Sequence, residues 1–247
     1  MKQFIVVWVV LFGFFSAFAQ EPAPTVYFIG GSTTSEYPPE RYPRMGWGQA
    51  MPRFFTSEVR FSNQAAEGRS TKSFRDEGRW QVILDSLQPG DYVFIQFGHN
   101  DQKEHRPKLY TKPFTTFADN LRRYVEEIRS KQATPVLVTS IHRRRFDKIG
   151  RVKNSLGLYP AAMRKVAHEL TVPLVDLHAA SEVLMNELGP EGSKKLFMWL
   201  KPGEHQNYPE GVEDNTHLTE AGAMAMAAAA VQDLKRNGVA LISYLRD

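Results

Sequence analysis

No cysteine occurs among the 247 residues. Disulfides, thiolate nucleophiles and Cys-ligated metal sites are therefore excluded. A chain of this length buries enough apolar surface to fold without such staples, so the lack of cysteine does not argue against export. Long basic runs are missing as well. The formal net charge is only +4, and no Lys/Arg-rich helix with interleaved aromatics occurs, so nucleic acid is not expected as a partner. A mild positive balance does suit an acidic polymer. Past residue 18 no stretch is apolar enough to span a bilayer. No internal repeat, low-complexity segment or linker divides the chain.

The N-terminus has what the rest lacks. Lys2 precedes an apolar run from Phe4 to Phe18, and Ala17-Phe18-Ala19 fits a small-x-small cleavage pattern. Residues 1–19 are expected to be an export signal, with an uncleaved anchor helix as the alternative. Residues 20–247 are expected to form one domain with no membrane contact after cleavage, periplasmic or extracellular. Loss of Lys2 lowers the net charge by one.

Five short apolar runs bounded by turn residues read as strands: Thr25–Ile29, Val59–Asn63, Tyr92–Phe97, Pro135–Ser140 and Pro173–Asp176. Continuous apolar character in the third and fourth suggests burial on both faces, as in a parallel sheet. Between them lie helical patterns at Trp47–Phe55, Phe74–Leu87, Phe117–Ser130, Tyr159–Leu170, Ser181–Leu188 and Thr219–Lys235. The alternation predicts an α/β fold with right-handed crossovers. Two long stretches, about 142–158 and 189–215, read as irregular, and loops of that length are usually functional.

An open parallel sheet binds ligands outside the carboxyl ends of its strands. Gly30-Gly31-Ser32 follows the first strand, Glu67-Gly68-Arg69 the second, Gly98-His99-Asn100-Asp101 the third and Arg143-Arg144-Arg145 the fourth. Asp214-Asn215-Thr216-His217 precedes the last helix. A serine hydroxyl is a weak nucleophile until a base, usually His, takes its proton, and a carboxylate orients that base. Asp214 and His217, three apart, can pair in a turn or first helical turn and leave Nε2 for Ser32. Gly68 offers an unobstructed N–H and Asn100 an amide to a developing oxyanion. Singly, each has a bland explanation as a cap or turn residue. Their co-occurrence in chain order at strand ends favours the catalytic one.

These blocks resemble the SGNH/GDSL hydrolase superfamily, whose Ser, Gly, Asn and His match Ser32, Gly68, Asn100 and His217. Gly68-Arg69-Ser70-Thr71, Phe97-Gly98-His99-Asn100-Asp101, Asp214-Asn215-Thr216-His217 and the stretch from Trp199 to Gly211 resemble its rhamnogalacturonan acetylesterase family. The resemblance spans about Thr25 to Val231. It implies a single three-layer α/β/α flavodoxin-like domain with a five-stranded parallel sheet. It also implies removal of acetyl groups from acidic pectic polysaccharide, the partner expected here, through an acyl-serine intermediate. Ser32 is then the nucleophile, His217 the base and Asp214 its orienter. The Ser32 N–H, Gly68 N–H and Asn100 amide form the oxyanion hole. No metal or cofactor is implied.

The first block departs from the family, with Gly31 where an aspartate is usual. The loop around Ser32 is expected to lose one support. Two rivals stay open on the residues alone: another SGNH esterase with an apolar acyl groove, such as a lysophospholipase or thioesterase, and a carbohydrate-binding relative weakened at Gly31. Lys103, His105, Arg106, Lys108 and Arg143–Arg145 make the rim basic, which favours an anionic sugar over an acyl chain. The three arginines read either as substrate contacts or as braces paired with Asp147 or Glu182. His99, His105, His142, His168, His178 and His205 show no HExxH-type spacing and read as surface or supporting groups rather than metal ligands. The Gly30–Ser35 loop lacks the lysine of a phosphate cradle.

Overall fold

The computed structural model describes residues 23–246; the expected signal segment lies outside them. The five expected strands form one parallel sheet: β1 (Thr25–Gly30), β2 (Arg60–Asn63), β3 (Tyr92–Gln96), β4 (Thr134–Val138) and β5 (Leu174–Val175), in the order β2-β1-β3-β4-β5. That is the flavodoxin-like order. Alternation along the strands divides the core. Val26 and Phe28 of β1 and Tyr92 and Phe94 of β3 face one side; Ile29, Val93 and Ile95 face the other. On the first side pack the short α1 (Trp47–Ala50) and the long Ala-rich α7 (Glu220–Arg236). On the second pack α2 (Thr71–Asp76), α3 (Arg79–Ser86), α4 (Ala118–Ser130) and α5 (Tyr159–Glu169). The α4 stripe is the one its spacing predicts: Leu121, Tyr124, Val125 and Ile128 are all buried.

Three elements differ from expectation. The single helix expected over 74–87 is two, because Gly78 adopts φ +73° between α2 and α3. The expected helix over 181–188 starts earlier: α6 (Leu177–Gly192) is capped by Asp176, which accepts from Ala179 N at 3.2 Å, and its regular φ/ψ breaks at Gly189. Most consequential, the stretch 189–215 is not irregular throughout. It carries β6 (Phe197–Leu200), which pairs antiparallel with β7 (Val212–Leu218) as a hairpin outside the main sheet. Among the described residues no helix is long and apolar enough to cross a membrane.

Candidate active site

The turn after β1 presents Ser32. Thr34 N and Ser35 N both donate to Gly31 O, at 3.1 and 3.3 Å, tightening the chain into one turn. Beneath it lies Gln96, the buried last residue of β3. Its Oε1 accepts from Thr33 Oγ1 (3.0 Å), Thr34 Oγ1 (2.6 Å) and Trp47 Nε1 (2.9 Å), while its Nε2 donates to Thr139 O. Tyr37 Oη donates to Ser32 O at 2.7 Å. The loop also packs hard against α1: a Cβ on Gly46 would lie 2.1 Å from Ser35 O, so only glycine fits there. A buried side-chain network fully satisfied in this way rigidifies what it holds.

β7 brings the other two groups. Asp214 Oδ1 accepts from Thr216 N (2.7 Å) and His217 N (3.1 Å). Its Oδ2 lies 2.5 Å from His217 Nδ1, and His217 Nε2 lies 2.9 Å from Ser32 Oγ. The pair therefore lies within β7, where Asp214 closes a short side-chain turn onto Thr216 and His217, the first of the two settings its spacing allows; it is not in the first turn of α7, which is capped separately by Thr219. Burial opposes ionisation of Asp214. The hydrogen bond and charge of His217 and the two N–H groups outweigh it and draw the carboxyl down to about 2. An ionised Asp214 fixes the proton of His217 on Nδ1 and leaves Nε2 as an acceptor.

Asn100 is buried beside this line. Its Nδ2 donates to Arg69 O at 3.0 Å, and its Oδ1 accepts from Lys103 Nζ at 2.6 Å. Those contacts fix which way the amide faces and leave one N–H of Nδ2 uncommitted. Among the described residues neither Ser32 N–H nor Gly68 N–H has a hydrogen-bond partner. Gly68 has φ +79° with open space where a Cβ would stand, so its backbone conformation, not crowding, requires glycine. Asp101 ties the two donor loops together. Its Oδ1 accepts from Thr71 N, Thr71 Oγ1 and Thr111 Oγ1, and its Oδ2 accepts from Gly98 N. Burial pushes its carboxyl up to about 6 against the pull of those donors. At Gly31 a Cβ would lie 3.3 Å from Asn100 Nδ2 and 3.5 Å from Arg69 O. A side chain at position 31 would thus press on the Asn100 amide by a few tenths of an ångström, and the loop takes its support from Gln96 and Tyr37.

The three arginines part company. Arg144 is buried: its guanidinium donates to Asn215 Oδ1 at 2.9 Å and to Pro190 O, and lies 4.7 Å from the Trp199 ring centroid. Trp199 Nε1 donates to the same Asn215 oxygen. Arg144 therefore braces the β6–β7 hairpin next to Asp214 and does not face solvent as a substrate contact would. Arg143 is half-buried, with weak contacts to Ser155 O and His99 O, and feels the charge of Asp214. Arg145 is exposed. Neither Asp147 nor Glu182 pairs with any of the three among the described residues. His142 and His178, read from sequence as surface or supporting groups, are both buried. Gln96 and the Arg144–Asn215–Trp199 contact carried no sequence signal, because each joins segments far apart in the chain.

Replacing Arg144 leaves buried partners unmatched next to the acid–base strand. Arg144→Ala is expected to cost about 2–3 kcal/mol of stability and to lower kcat on charged and neutral esters alike. Thermal unfolding and parallel kinetics on the two substrate types check this. A change confined to KM for charged substrates would return Arg144 to substrate binding.

Residues 28–225 match the GDSL-like lipase/acylhydrolase family model. The chain is 47% identical to rhamnogalacturonan acetylesterase RhgT of Bacillus subtilis (strain 168), over 89% of this chain and 93% of that one. It is 35% identical to the probable rhamnogalacturonan acetylesterase YesY of the same organism, over 87% and 94%. Its fold superposes on the crystal structure of B. subtilis YxiM with a TM-score of 0.75 at 30% identity, covering 88% of this chain and 58% of that longer one. With this match over most of its length, the chain belongs to the GDSL-like lipase/acylhydrolase family.

Proposed function

We propose that the protein is an exported serine esterase that removes acetyl groups from rhamnogalacturonan-type pectic polysaccharide. The observation that carries the reading is the unbroken hydrogen-bonded line from Asp214 through His217 to Ser32 Oγ, with the Ser32 N–H, the Gly68 N–H and one N–H of Asn100 left without partners among the described residues. In the first half-reaction Ser32 Oγ attacks the acetyl carbonyl carbon while His217 Nε2 takes its proton. The Ser32 N–H, Gly68 N–H and Asn100 amide hold the oxyanion. Collapse expels the sugar oxygen, which takes the proton from His217, and leaves acetyl-Ser32. In the second half a water attacks that ester with His217 again as base. Acetate leaves and Ser32 regains its proton. The loop around Ser32 is held in line with His217 despite Gly31, which supports catalysis over a binding-only role.

Two features support the substrate class. Relatives with high identity over nearly their full length carry the name rhamnogalacturonan acetylesterase. Arg143, Arg145 and Lys103 add positive charge at the rim. The export reading rests on the Lys2-to-Ala19 pattern.

Acetate release from acetylated rhamnogalacturonan is expected to exceed that from acetylated xylan at least tenfold at equal acetyl content. Equal release would remove the pectic assignment and leave a general carbohydrate esterase. Arg143→Ala is expected to raise KM on the pectic substrate by about fivefold, the scale of one partly exposed ion pair of about 1 kcal/mol. Turnover of p-nitrophenyl acetate should barely change. Added salt should narrow the difference, since screening cuts the reach of these charges to about 8 Å at physiological ionic strength. Equal losses on both substrates would make Arg143 a brace.

A further inference from the structure

Behind the basic rim lies a second cluster that the esterase chemistry does not use. His142 leaves the end of β4, and its backbone N donates to Ser181 Oγ at 3.0 Å. His178 opens α6, with its backbone N donating to Thr139 Oγ1 at 2.9 Å. Glu182 stands one helical turn further on, on the same face as His178. The imidazoles overlap with centroids 3.7 Å apart and planes inclined by 34°. One ligand atom from each of the three residues lies within 4.8 Å of the others.

The hydrogen-bond inventory of this cluster does not close. His142 is 1% and His178 6% exposed. Both ring nitrogens of His142 and Nε2 of His178 are buried with no protein partner. Leaving a buried polar atom unmatched costs about 1–3 kcal/mol, and three meet here. An imidazole nitrogen without a hydrogen-bond partner has a lone pair to give to a metal. Arg164 is the nearby cation, its Nη2 3.5 Å from His178 Nδ1, but Asp176 pairs with it through both carboxylate oxygens at 2.8 and 3.0 Å. With that pair neutral, the half-exposed Glu182 leaves the cluster one negative charge and an opening to solvent.

We propose that His142, His178 and Glu182 bind a divalent transition-metal ion of the zinc class. Two imidazoles and one carboxylate are a donor set that zinc accepts, with water completing four-coordination. The His142 Nε2 to Glu182 Oε2 separation is 3.7 Å. Two ligands of a tetrahedral zinc site stand roughly 3.4 Å apart, given bonds of about 2.1 Å, so that edge needs only a small adjustment. The role is structural. The ion ties the segment after β4 to α6, and that segment carries Arg144, which holds Asn215 beside Asp214. The spacing rules could not find this site because one ligand comes from a strand end and two from a distant helix.

The test is calorimetric titration of tag-free, EDTA-treated protein with ZnCl2, and separately with MgCl2, alongside thermal melts and the visible spectrum with CoCl2. Saturable 1:1 zinc binding, a rise in Tm of several degrees, the absorption of a four-coordinate cobalt(II) site and no response to magnesium are expected. His178→Ala should abolish binding. Glu182→Gln, which changes a half-exposed side chain and leaves folding intact, should weaken it at least tenfold. His168→Ala, an exposed histidine outside the cluster, should leave it unchanged. No saturable binding, or equal affinity in the wild type and Glu182→Gln, overturns the proposal and leaves the cluster a pair of buried imidazoles.

Discussion

Ser32→Ala is expected to lower kcat on acetyl esters by at least ~10³-fold, the scale on which a catalytic triad loses rate when a member is removed. The rest of the turn should survive. Its ties to Gln96, Trp47 and Asn63 run through Thr33 and Thr34, and Tyr37 reaches only the Ser32 carbonyl. The variant should therefore melt within about a degree of wild type and still bind acetylated oligosaccharide. Near-normal turnover in a folded variant would remove Ser32 from the reaction. Lost turnover together with a collapsed melt would say only that the loop had failed, and a serine-directed inhibitor on the wild type would then decide. Stoichiometric labelling at Ser32 supports the nucleophile, and labelling elsewhere overturns it.

Asp214→Asn should cost about 10⁴-fold in kcat, the effect of inverting the tautomer of a triad histidine. The amide oxygen can still accept from Thr216 N and His217 N, so that short turn keeps its shape. The amide nitrogen then faces His217 Nδ1, which must become an acceptor, and the ring proton moves to Nε2. That nitrogen can no longer take a proton from Ser32. The substitution has a second signature in acid. The folded carboxyl lies near 2 against 3.8 for an ordinary aspartate. Its contribution to stability is therefore complete above pH 3.8 and is lost as pH falls from there toward 2. Asp214→Asn should flatten that part of the stability curve, measured by denaturant melts at stepped pH. An unchanged acid limb would mean that His217 does not stabilise the ionised carboxyl in the folded state.

Much of the catalytic layout was legible because it is local. β3 and β4 announce themselves as apolar runs between turn residues, and Ser32, Gly68 and Asn100 stand at or just past strand ends. Asp214 and His217 are close in sequence, so their pairing could be guessed, though not which of its two settings holds. The β6–β7 hairpin was not legible. Pro202, Gly203 and Pro209 read as loop, and Glu213-Asp214-Asn215-Thr216 lacks the apolar alternation that marks a strand. Those polar residues are strand because the segment is held at both ends, by Val212 and Glu213 opposite Leu200 and Trp199 and by Leu218 opposite Phe197, with a register shift between that accommodates Asp214 to His217. The break at Gly78 was equally hidden, since a lone glycine inside a helical pattern can be tolerated or can end the helix. Arg144 looked like its neighbours until Asn215 and Trp199 came into reach.

The nucleophile and its base hang from different parts of the molecule. Ser32 is fastened to the central sheet through Gln96. His217 and Asp214 ride on a two-stranded ribbon outside that sheet, secured by Arg144 and by contacts from the ribbon's tip, where Asn207 donates to Pro39 O and Tyr42 O. The base of the ribbon is sunk in the core: Phe197, Met198 and Leu218 are buried, and Phe197 and Leu218 belong to the apolar cluster that Trp47 and α7 share with β1 and β3. The alignment of Nε2 with Oγ therefore depends on that shared packing as much as on any hydrogen bond at the site. A substitution that loosens it should cost activity and stability together.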